Sequence, residues 1–156
     1  MVFQLTPQEL LILLLGERGY STKEIAEILD VDEDMLQDVI QDLTERGYVV
    51  PKKRWKLFGS ETYLEVTEEG KKALAEITRV LKDVIGTIRN MVEKGNYDGA
   101  RALISKYMEY LPYAPLLGVA EAEFIENLMS KMGFVPSYAP PKELYKESSS
   151  EEEWEI

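Results

Sequence analysis

The sequence predicts a mainly α protein with one small β-hairpin, arranged as an N-terminal domain followed by a C-terminal helical bundle. Three observations carry this expectation. Apolar residues recur at helical spacing over most of the chain. Short Ser/Thr/Asp–Glu signatures stand where such stretches begin. A single stretch, residues 48–66, alternates with a period of two around a turn.

Thr6-Pro7-Gln8-Glu9 opens the first helix: Thr6 caps it, Pro7 suits the first helical position, and Glu9 completes a capping box. Gly19 is its stop. Between them Leu10-Leu11-Ile12-Leu13-Leu14-Leu15 is apolar on every side of a helix. One face suits the N-terminal core, so the rest is expected against the C-terminal helices or a partner subunit. Ser21-Thr22-Lys23-Glu24 is a second capping box, with Ile25, Ala26, Ile28 and Leu29 facing inward. Asp30 and Val31 turn the chain, and Asp32 is expected to cap a third helix whose inward residues are Leu36, Val39, Ile40 and Leu43. Gly47 ends it. A strand begins at Tyr48 and is expected to be interrupted at Pro51. In residues 52–57, Lys52, Arg54 and Lys56 point one way and Lys53, Trp55 and Leu57 the other. Phe58-Gly59-Ser60-Glu61 turns back into a strand with Leu64 and Val66 inward, and Thr67-Glu68-Glu69 starts a long helix.

This order resembles the winged helix-turn-helix domains of MarR-like, PadR-like and many archaeal-type transcriptional regulators. The residues that carry the resemblance are the stretch from Ser21 to Leu29, then Leu43-Thr44-Glu45-Arg46-Gly47-Tyr48-Val49, then the stretch from Tyr63 to Leu74. The domain they mark, residues 1–74, covers about half the chain. The resemblance implies a winged-helix domain over residues 1–74, and a DNA-binding role in which the third helix enters the major groove. It also implies dimerisation, since many such regulators pair through helices flanking the domain. A winged helix identifies a superfamily and not one activity.

The long helix is expected from Glu68 to about Lys94. Leu74, Ile77, Leu81, Val84, Ile88 and Met91 recur at spacings of 3, 4, 3, 4 and 3, a short heptad seam. Such a stripe must be covered by later helices or by a second copy, so a homodimer through residues 68–94 is expected. Gly95-Asn96 stops this helix and caps the next, whose stripe is Tyr97, Ala100, Ile104, Tyr107 and Leu111. A further helix spans Gly118 to Lys131, closed by Gly133. Residues 75–135 therefore form a helical region for dimerisation or a partner. Residues 136–156, with Pro140-Pro141 and the end Ser148-Ser149-Ser150-Glu151-Glu152-Glu153-Trp154-Glu155-Ile156, are expected to be a disordered acidic tail.

Composition bounds the chemistry. The 156 residues are 45% hydrophobic and 30% charged, which suits a globular chain with a real core. The longest apolar run is far short of the roughly 20 residues of a membrane span and has no basic leader, so a cytoplasmic protein is expected. With no Cys and no His, disulfides, thiol nucleophiles, Ser-His-Asp catalysis and ordinary zinc sites are excluded. No catalytic constellation stands out, so neither an enzyme nor a cofactor is expected. The absence of Cys and the abundance of Glu and Lys fit a thermophile. Net charge is −11, and both halves are acidic: 15 acids and 9 bases in residues 1–74, 14 and 9 in residues 75–156. A basic footprint for nucleic acid must therefore be local.

The outward residues of the third helix are Glu33, Asp34, Gln37, Asp38, Gln41 and Asp42, four of them acidic. Gln37 and Gln41 suit adenine edges, but carboxylates against phosphate are unfavourable, and each phosphate contact calls for a cation. An acidic helix 32–46 also suits a basic protein partner. The basic concentration lies at Lys52, Lys53, Arg54 and Lys56, with Lys23 a further phosphate candidate. The alternative is a solvated hairpin whose bases balance nearby acids. Trp55 is expected in the core beneath the hairpin, with stacking on a base as the other reading. Asp30, Asp32 and Asp34 begin like a calcium loop, but Met35 replaces the turn glycine and Gln41 the final glutamate, so helix capping accounts for them better. The aromatics Tyr97, Tyr107, Tyr110, Tyr113, Phe124 and Phe134 suit either a core or a ligand pocket. The tail 148–156 suits either a solubilising end or a short docking motif. The expected function is a transcriptional regulator that contacts double-stranded DNA mainly through its basic hairpin. The alternative is a protein-interaction module that uses its acidic third helix and binds no DNA.

Overall fold

Thr6 and Ser21 start two helices by the same device. In the computed structural model, which describes residues 2–135, 140, 141 and 144, the Thr6 hydroxyl accepts from the Glu9 N–H at 3.1 Å and the Glu9 carboxylate accepts from the Thr6 N–H at 2.9 Å. Ser21 and Glu24 repeat both bonds at 3.1 and 2.9 Å. These reciprocal bonds satisfy amide donors that a helix start leaves open. They begin α1 (Pro7–Glu17) and α2 (Thr22–Leu29). α2 ends at Asp30, whose φ of 54° is left-handed, a conformation Asp tolerates better than most residues. The start of α3 (Glu33–Glu45) differs from the expectation: Asp32 stands at the cap position but makes no side-chain cap bond. Glu33 and Asp34 in the first turn still face the positive end of the helix dipole.

Strand β1 (Val49–Trp55) pairs antiparallel with β2 (Ser60–Val66), from Val49 opposite Val66 to Trp55 opposite Ser60. The interruption expected at Pro51 does not occur. An isolated bridge joins Ser21 to Tyr63, on β2, which leaves β1 at the edge, where a residue without an N–H is tolerated. Val49, Leu64 and Val66 are buried, with Leu36, Ile40 and Leu43 of α3 and Ile25 of α2. Leu10, Leu11, Ile12, Leu13 and Leu15 of α1 are buried too and Leu14 is half-buried, so the apolar run is covered around most of its circumference.

α4 (Glu68–Glu93) follows Thr67, whose hydroxyl donates to the Gly47 carbonyl and accepts from the Gly70 N–H. Its stripe Leu74, Ile77, Leu81, Val84, Ile85 and Ile88 is buried within a single chain. The chain divides into two compact units, Phe3–Glu76 and Ile77–Ile156. In the second unit, Asn96 caps α5 (Tyr97–Tyr107) by accepting from the Gly99 N–H at 3.0 Å. A short 3-10 turn, Leu111–Tyr113, leads towards α6 (Ala122–Lys131). α6 starts later than Gly118 because that glycine has a φ of +72°, outside the helical region. Tyr107, Tyr110 and Tyr113 are core residues, and Arg89 stacks over Phe124 at 4.1 Å. Phe134 lines a cavity of about 400 Å³ with Pro112, Ile125 and Met129. Apart from buried Pro140 and Leu144 and half-buried Pro141, the acidic tail lies outside the described residues. Among the described residues no helix is long and apolar enough to cross a membrane.

The second capping box has a pH signature. The Glu24 carboxyl is held below its ordinary value of 4.5, first by the donating Ser21 N–H, against an opposing desolvation, and further by the Ser21 hydroxyl, Lys56 and Arg54. A lowered folded-state value means the contribution is present above 4.5 and is lost as pH falls through the folded-state value. Urea unfolding at pH 7 and at pH 3 is therefore expected to show a smaller acid loss for Glu24→Gln than for the unmodified chain. Equal losses would remove this account of the box.

Candidate nucleic-acid interface

The hairpin register decides what surrounds each base. Lys52, Arg54 and Lys56 share one face of β1 and its turn, as the alternation requires. Glu61 and Glu65 of β2 share that face. Lys52 Nζ lies 3.5 Å from Glu65, Arg54 Nε 3.5 Å from Glu61, and Lys56 Nζ 2.9 Å from Glu61. Arg54 also donates to the Gly19 carbonyl at 3.0 Å and stacks over Tyr63 at 4.6 Å. Glu24 of α2 feels Lys56 and Arg54 as well. Three bases thus meet three acids, and the stripe has little net charge of its own.

The lysine ends of these pairs are exposed, although Glu61 is half-buried, and an ion pair open to water contributes about 1 kcal/mol or less. The two lysines can therefore exchange a carboxylate for another anion at small cost, whereas Arg54 is held by four groups. Lys53 lies on the opposite face with Trp55. Among the described residues, Lys53 and Lys23 make no ion pair. A shallow groove of about 560 Å³ brings Lys53 and Arg54 together with Lys71 of α4, which no sequence signal joins to them. Glu17 and Glu65 line the same groove.

Trp55 is not in the core: it is 78% exposed, and beyond it Leu57 and Phe58 are 91% and 92% exposed. Beyond Val49 every residue of β1 is exposed, and Trp55 stands at its far end. Gln37 and Gln41 are exposed on α3, not on the hairpin. Around them Glu33, Asp34, Asp38, Asp42 and Glu45 are exposed as well. Gln41 donates to Glu45 at 3.4 Å. Arg46, the base at the end of this helix, is directed to Asp42 at 3.0 Å, to Glu9, and to the Gln4 carbonyl at 3.2 Å. The outward face of α3 is therefore a carboxylate surface with two amides in it. Among the described residues no group of three or more carboxylates is placed to hold a metal ion.

Of the stripe that called for a homodimer through residues 68–94, Leu74, Ile77, Leu81, Val84 and Ile88 are buried in one chain and Met91 is half-buried. The sequence signal that would have revealed the paired stripe is the spacing of Glu61 and Glu65, four apart on a returning strand. Reading it requires the hairpin register. The chain matches no family model, no curated protein and no solved structure.

Proposed function

We propose that the protein is a DNA-binding transcriptional regulator of winged-helix type that contacts double-stranded DNA through its hairpin and not through α3. The order of three helices, a hairpin and a long helix supports the winged-helix reading, as does the bridge that adds Ser21 to the edge of β2. One observation carries the choice of surface. The hairpin holds four bases, Lys52, Lys53, Arg54 and Lys56, against two acids, Glu61 and Glu65, whereas the outward face of α3 presents carboxylates. Lys23 and Lys71 are further candidate phosphate contacts. Binding of this kind needs no cofactor and no catalytic group, and it places the protein in the cytoplasm with the DNA.

The test is a fluorescence titration with random-sequence duplex DNA at low and moderate salt. Three hairpin cations on three phosphates give a log–log salt slope of about −3. Lys52→Ala/Arg54→Ala/Lys56→Ala is expected to weaken binding and flatten the slope. No binding at low salt sinks the proposal. That outcome favours the second reading, a winged-helix module whose acidic α3 docks on a basic protein surface, for which the exposed carboxylates of α3 speak. The tail 148–156, the other candidate docking segment, lies outside the described residues.

A further inference from the structure

The tip of the hairpin carries residues that its turn does not require. The Lys56 N–H donates to the Gly59 carbonyl at 2.9 Å, closing a turn with Leu57 and Phe58 at its apex. Gly59 adopts a φ of +89°, which a side chain would strain. Apex positions of such turns favour Gly, Asn, Asp and Ser, whose backbones or side chains suit them. Leu57 and Phe58 bring neither advantage, and both project almost fully into solvent, with Trp55 exposed behind them. Apolar side chains scattered singly over a surface are ordinary, but three large ones gathered at one projecting point mark a contact site.

The surroundings say what kind of contact. Lys52, Lys53, Arg54 and Lys56 flank the tip. A basic collar around an apolar point complements a ligand with anions outside and apolar faces within reach. Duplex DNA has that arrangement once a step is opened, with phosphates along a narrow groove lined by base edges and the apolar base faces between the steps. Proteins that enter the minor groove often insert Phe, Leu or similar residues between base pairs and kink the duplex there.

We infer that Leu57 and Phe58, backed by Trp55, form a wedge that enters the minor groove and opens a base-pair step, while Lys53 and Lys56 hold the phosphates beside it. This inference rests on the DNA-binding reading above and adds the mode of contact. Opening a step is easiest at flexible pyrimidine–purine steps and hardest in A-tracts. The wedge therefore prefers duplexes with a central TA step, and it bends them.

Trp154→Phe leaves Trp55 as the one tryptophan of the chain, which has two. This variant is titrated at low salt with a short duplex carrying a central TA step and a fluorophore at each end, and with a matched A-tract duplex. Binding is expected to quench Trp55 emission, to shorten the end-to-end distance, and to favour the TA duplex. Adding Leu57→Ser/Phe58→Ser is expected to weaken binding by about tenfold or more, as loss of base stacking does, and to abolish the bend without changing the salt slope. Both positions are exposed, so unchanged thermal unfolding is the control, and the Trp55 quench is an independent readout with the tip intact. Binding without quench or bend overturns the wedge and leaves the DNA-binding reading standing. No binding to either duplex overturns both, and points to a protein cleft with an acidic rim as the occupant of the tip.

Discussion

Glu61→Gln together with Glu65→Gln is expected to strengthen duplex binding by about tenfold, even though neither residue is a DNA contact. Both carboxylates lie within 3.5 Å of the cations that the proposal assigns to phosphate. In the free protein they occupy those cations. In the complex they stand beside phosphates and repel them. Two unit charges about 4 Å apart interact by about 1 kcal/mol in water and by more near a protein surface. Removing two such repulsions, and two competitors for the same lysines, favours the complex at both ends. The substitution keeps the shape of each side chain but turns one acceptor oxygen into an NH2 donor, so unchanged urea unfolding is the control. The measurement is a titration with one duplex at fixed low salt, comparing the double variant with the unmodified chain. An unchanged or weaker affinity would show that the stripe does not meet phosphate.

Gly70→Ala is expected to destabilise the Phe3–Glu76 unit by about 2–3 kcal/mol. A Cβ at this position would stand 2.4 Å from the Tyr48 carbonyl oxygen and 2.7 Å from a Val66 methyl group. The carbonyl belongs to the backbone and already accepts from the Thr67 N–H at 3.0 Å, so it cannot swing aside freely. The first turn of α4 must move away instead, which strains the bond from the Thr67 hydroxyl to the Gly47 carbonyl at 2.6 Å. Alanine favours a helix over glycine by up to about 1 kcal/mol, so the net sign is itself informative. Urea unfolding checks it. A stabilised variant would mean that α4 can lift from Tyr48 without loss. The Thr67 hydroxyl bond to Gly47 and the approach of Gly70 to Tyr48 join the start of α4 to the chain that leads into β1.

The helical framework was legible where its causes are local. Thr6 with Glu9 and Ser21 with Glu24 are three residues apart, so the sequence contains both partners of each box. Gly19, Gly47 and Gly95 end helices because their own backbones reach the left-handed region. Asp32 shows the limit: it occupies the cap position its neighbours suggest, yet its side chain makes no cap bond. The candidate surface was legible only in part. The four bases on the hairpin were visible from their clustering. Their partners Glu61 and Glu65 were not, because ion pairing across a hairpin depends on register. Trp55 was expected in the core because tryptophan usually is, and its exposure follows from how far β1 extends beyond the packed layer.

The sequence by itself determined the order of elements, the starts of the first two helices, the turns at glycine, and the acidic character of α3. All of these depend on a residue's own conformational preference or on neighbours within one helical turn. The tertiary structure alone decided that Pro51 sits on an edge strand, that the hairpin bases share their face with two carboxylates, that the α4 stripe is buried in a single chain, and that Trp55, Leu57 and Phe58 stand in solvent. Each of those depends on which residues, distant along the chain, come to lie beside the one in question. No local propensity encodes that, because strand register and burial are properties of the packed whole.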